Sequence, residues 1–349
     1  MTRFGIAALL AFLLPAGAAD TTRPIFPIQE GFPAAEMTRI QHRTQHLQSA
    51  LSPLGAATAQ GVISNSRVWL PPEQPLTVAF LGGSQTLRSQ IVNAANAWAA
   101  VANVKFDFGP QGSYREWTRS DTSYAASIRI AFDEQGYWSF VGSDGIDPPV
   151  AGPNQASMNF QNFTAGLPVD WQGVVLHEFG HAIGFEHEHQ SPVSGCDSQF
   201  RWDDDPGYVP TKDMYGSFIE DSSNRYPGIY TVLGGPPNNW SRDVVDFNLR
   251  QLANTTDYRY STFDKASIMM YSFAAWMFKN GSASGCYTSE NLSLSQTDQQ
   301  VALGTYPRDL NAAVASSLRG VKAIELLANR KKASPEIKAQ AQARLKSLE

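Results

Sequence analysis

The sequence predicts an α+β fold, and three observations predict it. Strand-like and helix-like patterns alternate between residues 68 and 187. A polar, irregular stretch rich in Pro, Gly, Asn and Asp runs from 190 to 262. Helical periodicity returns from Arg308 onward. The chain has 349 residues, 42% of them hydrophobic and 17% charged. That composition can bury a sizeable core and is not that of a disordered chain. The net charge of −5 gives no ground for nucleic acid as a partner.

Residues 1–19 read as an export signal. Arg3 supplies the positive start, GIAALLAFLL at 5–14 the apolar run, and Ala16-Gly17-Ala18-Ala19 the cleavage site. Ten apolar residues cannot span a bilayer core of about 30 Å, and no later stretch is long and apolar enough. The expectation is a secreted, extracellular protein with no stable membrane insertion. Residues 20–66 are rich in Thr, Pro, Gln, Ala and Ser and read as a prosegment or N-terminal extension.

A folded domain is expected over 67–307. VWLPPEQPLTVAFL suggests a strand entered through prolines. QTLRSQIVNAANAWAAV at 85–101 places Leu87, Ile91, Ala94, Ala95 and Trp98 at helical spacing. VKFDF at 104–108 and SIRIAF at 127–132 alternate as strands do. Residues 170–187 form a second helix and its exit. SQTDQQVALGTYP at 295–307 reads as a helix opened by a Ser/Thr cap and ended at Pro307. In the tail, 308–349, Leu310, Val314, Leu318, Val321, Ile324 and Leu327 recur at helical spacing. Ile337, Ala341 and Leu345 resume the pattern after Pro335, so two amphipathic helices packed on the domain are expected. The tail holds nine Lys and Arg against four Asp and Glu. A basic module that binds a surface or partner is the alternative, but charge runs more often solvate a face. Cys196 and Cys286 are the only cysteines. In an exported protein they read as one disulfide, with two buried thiols as the alternative.

The chemistry concentrates in VVLHEFGHAIGFEHEHQ at 174–190. Residues four apart on a helix share a face, so His177 and His181 can present two imidazoles to one ion. Gly184 can take a positive φ, stop the helix and turn the chain, which lets His187 return to the same ion. Three neutral nitrogens leave a fourth position for water, as in catalytic rather than structural zinc sites, so the implied cofactor is Zn2+. Zinc lowers the pKa of that water. Glu178 directly follows the first ligand. It can accept the water's proton as hydroxide attacks a peptide carbonyl, and then deliver it to the leaving amine. A lone His-x-x-x-His pair is more often structural. Here five positions are specified, and four of the six histidines fall between 177 and 189.

HEFGHAIGFEH has the His-Glu-x-x-His-x-x-Gly-x-x-His form of the metzincin signature, and the chain resembles that group. Ser267-Ile268-Met269-Met270-Tyr271 resembles the metzincin methionine turn. Glu188 after the third histidine and the SxMxY form of the turn resemble the astacin family, with a matrixin-like relative as the alternative. The resemblance covers about residues 67–307. It implies a twisted mixed sheet and active-site helix, an irregular C-terminal subdomain, and zinc in the cleft between them. By the same resemblance Met269 is a soft apolar floor under the ligands. Tyr271 is a further zinc ligand or a switch that stabilises the oxyanion. YWSFVG at 137–142 resembles the rim strand on which an extended protein or peptide substrate adds its backbone.

The implied activity is hydrolysis of internal peptide bonds outside the cell. A non-catalytic binding module would be signalled by loss of Glu178, which is present. A zinc hydrolase of a non-peptide amide is the other reading. The chain departs from astacins in three ways. Ser191 stands where they usually carry Arg, one disulfide is available rather than two, and residues 20–66 hold neither an FxGD motif nor a cysteine switch. If that segment plugs the cleft, its zinc-capable candidates are Asp20, Glu30, Glu36, His42 and His46. Glu30 comes first, because Gly31 beside it lets the chain run tight through a cleft.

Overall fold

The computed structural model describes residues 31–32, 36–40, 62–214, 216–236, 238–253, 258–260, 262–331 and 333–348. The expected export signal and the candidates Asp20, Glu30, His42 and His46 lie outside them.

The first half is built from β1 (Ile63–Ser64), β2 (Leu76–Phe80), helix α1 (Gln85–Val101), β3 (Phe106–Asp107), β4 (Ile128–Ala131), β5 (Tyr137–Ser139), β6 (Met158–Phe160) and helix α2 (Trp171–Ala182). The main sheet has the order β3-β2-β4-β6-β5. All its pairs are parallel except β5 on β6, so the sheet is mixed, as expected. β4 is buried at every position, as a central parallel strand covered on both faces must be. β5 is the edge strand, and one of its sides is open.

Ser84 caps α1 by accepting the Leu87 N–H at 3.2 Å. Leu87, Ile91, Ala95 and Trp98 form its buried face, each large side chain stabilising by about 1.5–3 kcal/mol. That face packs against α2 and the sheet in one large core. The packed body starts at Val62, upstream of residue 67. Val62, Ile63 and Ser64 are buried, and Ile63 bridges to Phe185.

The stretch 190–262 holds more order than its composition suggests. It contains helices α3 (Cys196–Gln199), α4 (Ile229–Gly234) and α5 (Arg242–Leu249). It also holds a hairpin of β7 (Thr211–Lys212) and β8 (Phe218–Ile219). β9 (Tyr258–Arg259) then returns to pair with β1. A second core gathers Phe200, Trp202, Leu233, Val245, Phe273 and Phe278. The Cys196–Cys286 disulfide forms within it, with Cα atoms 5.7 Å apart and 90 residues of separation.

Helix α6 (Gln296–Thr305) opens on Ser295, as predicted, in a reciprocal capping box with Asp298. The tail folds as a hairpin of α7 (Leu310–Asn329) and α8 (Pro335–Ser347), packed on the body as expected. Arg344 fixes it there, pairing with Glu73 at 2.9 Å and donating to Ser66 O and Val68 O. One expectation is corrected. Leu310, Val314 and Leu318 face solvent, and the buried face of α7 starts instead at Ser316 and Gly320, continuing to Ile324 and Leu327. The reason is close approach. A Cβ on Gly320 would lie 2.7 Å from Leu70 Cδ2, so the small residues and not the leucines meet the body. Among the described residues no helix is long and apolar enough to cross a membrane.

The disulfide spans most of the second core. Replacing both Cys196 and Cys286 by Ser should lower stability by about 2–4 kcal/mol, chiefly by freeing the unfolded chain. Urea unfolding checks this, and an unmoved midpoint would remove the stabilising role.

Candidate active site and metal centre

Helix α2 carries the first two predicted ligands. It is buried along most of its length, and its C-terminal carbonyls are capped by distant side chains. Trp69 Nε1 donates to Ala182 O at 2.7 Å and Tyr306 OH to Ile183 O at 2.7 Å. Without such partners these orphan carbonyls would be costly in a buried site. Gly184 then takes φ +102° and turns the chain, as its position in the sequence predicts. Phe185 packs on Trp98, with ring centroids 5.0 Å apart, and His187 comes back to the helix.

The structure brings His177, His181 and His187 together. His181 Nε2 is 3.1 Å from His177 Nε2 and 3.1 Å from His187 Nε2. His177 Nδ1 lies 2.6 Å from Ile268 O, and His181 Nδ1 2.7 Å from Phe185 O. A carbonyl oxygen only accepts, so both Nδ1 atoms carry the hydrogen. The facing Nε2 atoms of these two rings are then bare lone pairs in near contact. Such a contact repels unless a cation lies between them. Nitrogens about 2.0–2.1 Å from a common tetrahedral ion are roughly 3.3 Å apart, so the donor set fits zinc.

Glu178 is buried beside the ligands and lines the same cleft as His181, His187 and Tyr271. Tyr271 stacks on His187 with centroids 4.3 Å apart and planes at 25°. Met269 lies against α2. A Cβ on Gly180 would come within 2.4 Å of its sulfur and 3.1 Å of Trp98 Cζ2. Glycine at 180 is what lets the turn approach the helix.

The methionine turn is held from behind by Asp298, which the sequence did not single out. Its carboxylate accepts Ser267 Oγ–H at 2.6 Å, Ile268 N–H at 2.8 Å and Ser295 N–H at 2.8 Å. Burial raises its pKa above the ordinary value, against the pull of these donors. Glu188 sits on the other side of the turn. Its N–H donates to Met269 O at 2.9 Å and its carboxylate accepts Asp264 N–H at 2.9 Å. Burial pushes the Glu188 carboxyl up to about 8. Arg67 was also missed. It forms a buried group on the cleft wall with Glu186 at 2.9 Å and Asp144 at 3.3 Å. Apart from the Ser295 cap, these contacts join residues far apart in sequence, so no spacing signals them.

The described part of the N-terminal segment crosses this cleft. Gly31 N–H donates to Tyr137 O on the open edge of β5 at 3.1 Å. Phe32 stacks on Phe140, centroids 5.4 Å apart, and tilts against Trp138 at 5.5 Å. A Cβ on Gly31 would meet the Trp240 ring at 2.5 Å, so the chain does run tight here. The Glu36 carboxylate is taken by Arg39 at 2.7 Å.

No family model and no curated protein matches the chain. Solved structures do. One structure of myroilysin is 30% identical, with a TM-score of 0.53, over 72% of this chain and 100% of that one. A crystal structure of myroilysin is 29% identical, with a TM-score of 0.45, over 75% of this chain and 96% of that one. High choriolytic enzyme 1, a hatching enzyme zinc-protease from the medaka fish Oryzias latipes, is 14% identical. Its TM-score is 0.37, over 72% of this chain and 97% of that one.

Asp298→Asn should cost about 1–3 kcal/mol, because the amide turns a donor toward N–H groups that need an acceptor. Chemical unfolding of the variant beside wild type measures it. Unchanged stability would mean that the turn is held by other contacts.

Proposed function

The chain belongs to the astacin-like metzincins and is a zinc metalloendopeptidase, and on that premise we propose that it is a secreted enzyme with Glu178 as its general base. The observation that carries this reading is the convergence of His177, His181 and His187 in a cleft that Glu178 also lines. The three histidines would hold zinc, which supplies Lewis acidity and makes water a nucleophile near neutral pH. Glu178 takes the proton of the attacking water and passes it to the leaving amine. Tyr271, held by its stack on His187, faces the cleft and offers its phenol to the developing oxyanion. Met269 packs beneath the ligand helix. An extended protein or peptide substrate lies along the open side of β5, as the N-terminal segment does in part.

Residues 20–61 we read as an inhibitory prosegment. Supporting this, Gly31, Phe32 and Ile40 line the cleft together with Glu178 and His187, and Gly31 is bonded to Tyr137 O and packs close to Trp240. The Cys196–Cys286 disulfide and the export signal at 1–19 fit an extracellular setting.

Two outcomes test these assignments. Glu178→Gln should bind zinc almost as wild type does and lose about 10²–10⁴-fold or more in casein hydrolysis, because the amide cannot accept the proton. Activity within threefold of wild type would sink the general-base role. Gly31→Val, made in the chain from residue 20 onward, should detach the segment. Strain of about 1–3 kcal/mol at that backbone position corresponds to roughly 5- to 150-fold more open enzyme, read as a shorter lag before casein cleavage. An unchanged lag would remove the prosegment reading.

A further inference from the structure

We propose that Gln190 is a positioning residue for the third ligand, fixing both the ring orientation and the tautomer of His187. The inference rests on the zinc-site reading above.

Gln190 is 4% exposed and sits in the 3-10 turn that directly follows His187. Its Nε2 donates to Phe247 O at 2.9 Å and to Arg250 O at 3.0 Å. These carbonyls stand at the C-terminal end of α5, where a helix leaves its last acceptors without partners of its own. Both groups are acceptors, so the amide nitrogen must face them and the amide oxygen cannot. The oxygen is thereby turned toward His187, with Oε1 3.1 Å from Nδ1. An amide oxygen only accepts. Nδ1 therefore carries the hydrogen, and the neutral ring keeps a bare Nε2, the atom 3.1 Å from His181 Nε2. The backbone hydrogen bond from Leu252 N–H to Gln190 O, 2.8 Å, further ties the residue to the segment after α5.

His177 and His181 receive the same instruction from backbone carbonyls, those of Ile268 and Phe185. No substitution removes a backbone carbonyl. His187 receives it from a side chain, and His187 is also the ligand that no helix holds. The third ligand is thus the point at which the site depends on one removable group. Through Gln190, the ring is clamped to α5, which also presents Phe247 and Asn248 to the cleft.

The test is zinc affinity by chelator competition at fixed pH on the full chain, for wild type, Gln190→Met, Gln190→Glu and His187→Ala. Methionine keeps the length of glutamine but neither accepts nor donates, and zinc should bind about 10–100-fold more weakly. Glutamate loses the clamp to α5 but keeps an oxygen for Nδ1–H, and should bind zinc at least about fivefold more tightly than Gln190→Met. A merely structural role predicts that the two variants suffer alike, since both lose the clamp. Equal losses, or wild-type affinity in Gln190→Met with His187→Ala weakened, would overturn this inference alone. Wild-type affinity in His187→Ala would overturn the metal-site reading and this inference with it.

Discussion

The interaction on which the rest depends is the near contact of imidazole nitrogens at 3.1 Å. Each must present a lone pair, so each Nδ1 must be occupied by an acceptor elsewhere. The acceptors come from different parts of the chain: Ile268 in the methionine turn, Phe185 in the exit of α2, and Gln190 beyond the third ligand. A helix alone could supply neither the third ring nor the first of these acceptors. The requirement fixes where the helix ends, why a glycine with positive φ follows it, and why a turn about 90 residues downstream must return to touch its first histidine. The carbonyl–imidazole contacts also raise the basicity of the ligating nitrogens, which strengthens the hold on a metal.

Packing enforces that geometry by close approach. Met269 can reach α2 only because residue 180 has no side chain. Trp98 closes the same contact from α1 and spends its indole N–H on Leu176 O at 2.9 Å. The far end of α2 is closed by Trp69 and Tyr306, which lie on opposite sides of the domain in sequence. The tail contributes here. Arg344 holds the backbone at Ser66 and Val68, next to the tryptophan that caps the ligand helix. The tail hairpin is therefore a buttress for the segment that ends the helix, and one of its positive charges, Arg344, makes that contact.

What was legible in the sequence was local. The convergence of the three histidines follows from helical spacing and one glycine, and a five-residue motif marked the segment that brings Met269 against α2. Both helices of the first half, the Ser295 cap and the disulfide followed from period, cap chemistry and cysteine count. Asp298, Gln190 and Arg67 were not legible. Asp298 acts across 30 residues on Ile268, and Arg67 across 119 on Glu186, and such contacts leave no periodic trace. The stretch 190–262 was obscure for a different reason. Helices as short as Cys196–Gln199 do not complete a hydrophobic period. In α7 the period was present but ambiguous. Apolar spacing selects a face, and it does not say that a Ser–Gly face meets the body more closely than a Leu–Val face.

The methionine turn is also the seam of the molecule. Ile268 and Met269 belong to the core of the first half, and Met270 and Tyr271 to the core of the second. The two pairs thus belong to opposite halves, and Tyr271 of the second pair also lines the cleft. His187 is held at this seam from both sides, by the helix it faces and by Tyr271 stacked on it. Gly31 touches the same two halves, through Tyr137 of the sheet edge and through Trp240, next to α5. Trp240 directly precedes α5, and α5 holds the Gln190 amide whose oxygen lies 3.1 Å from His187 Nδ1.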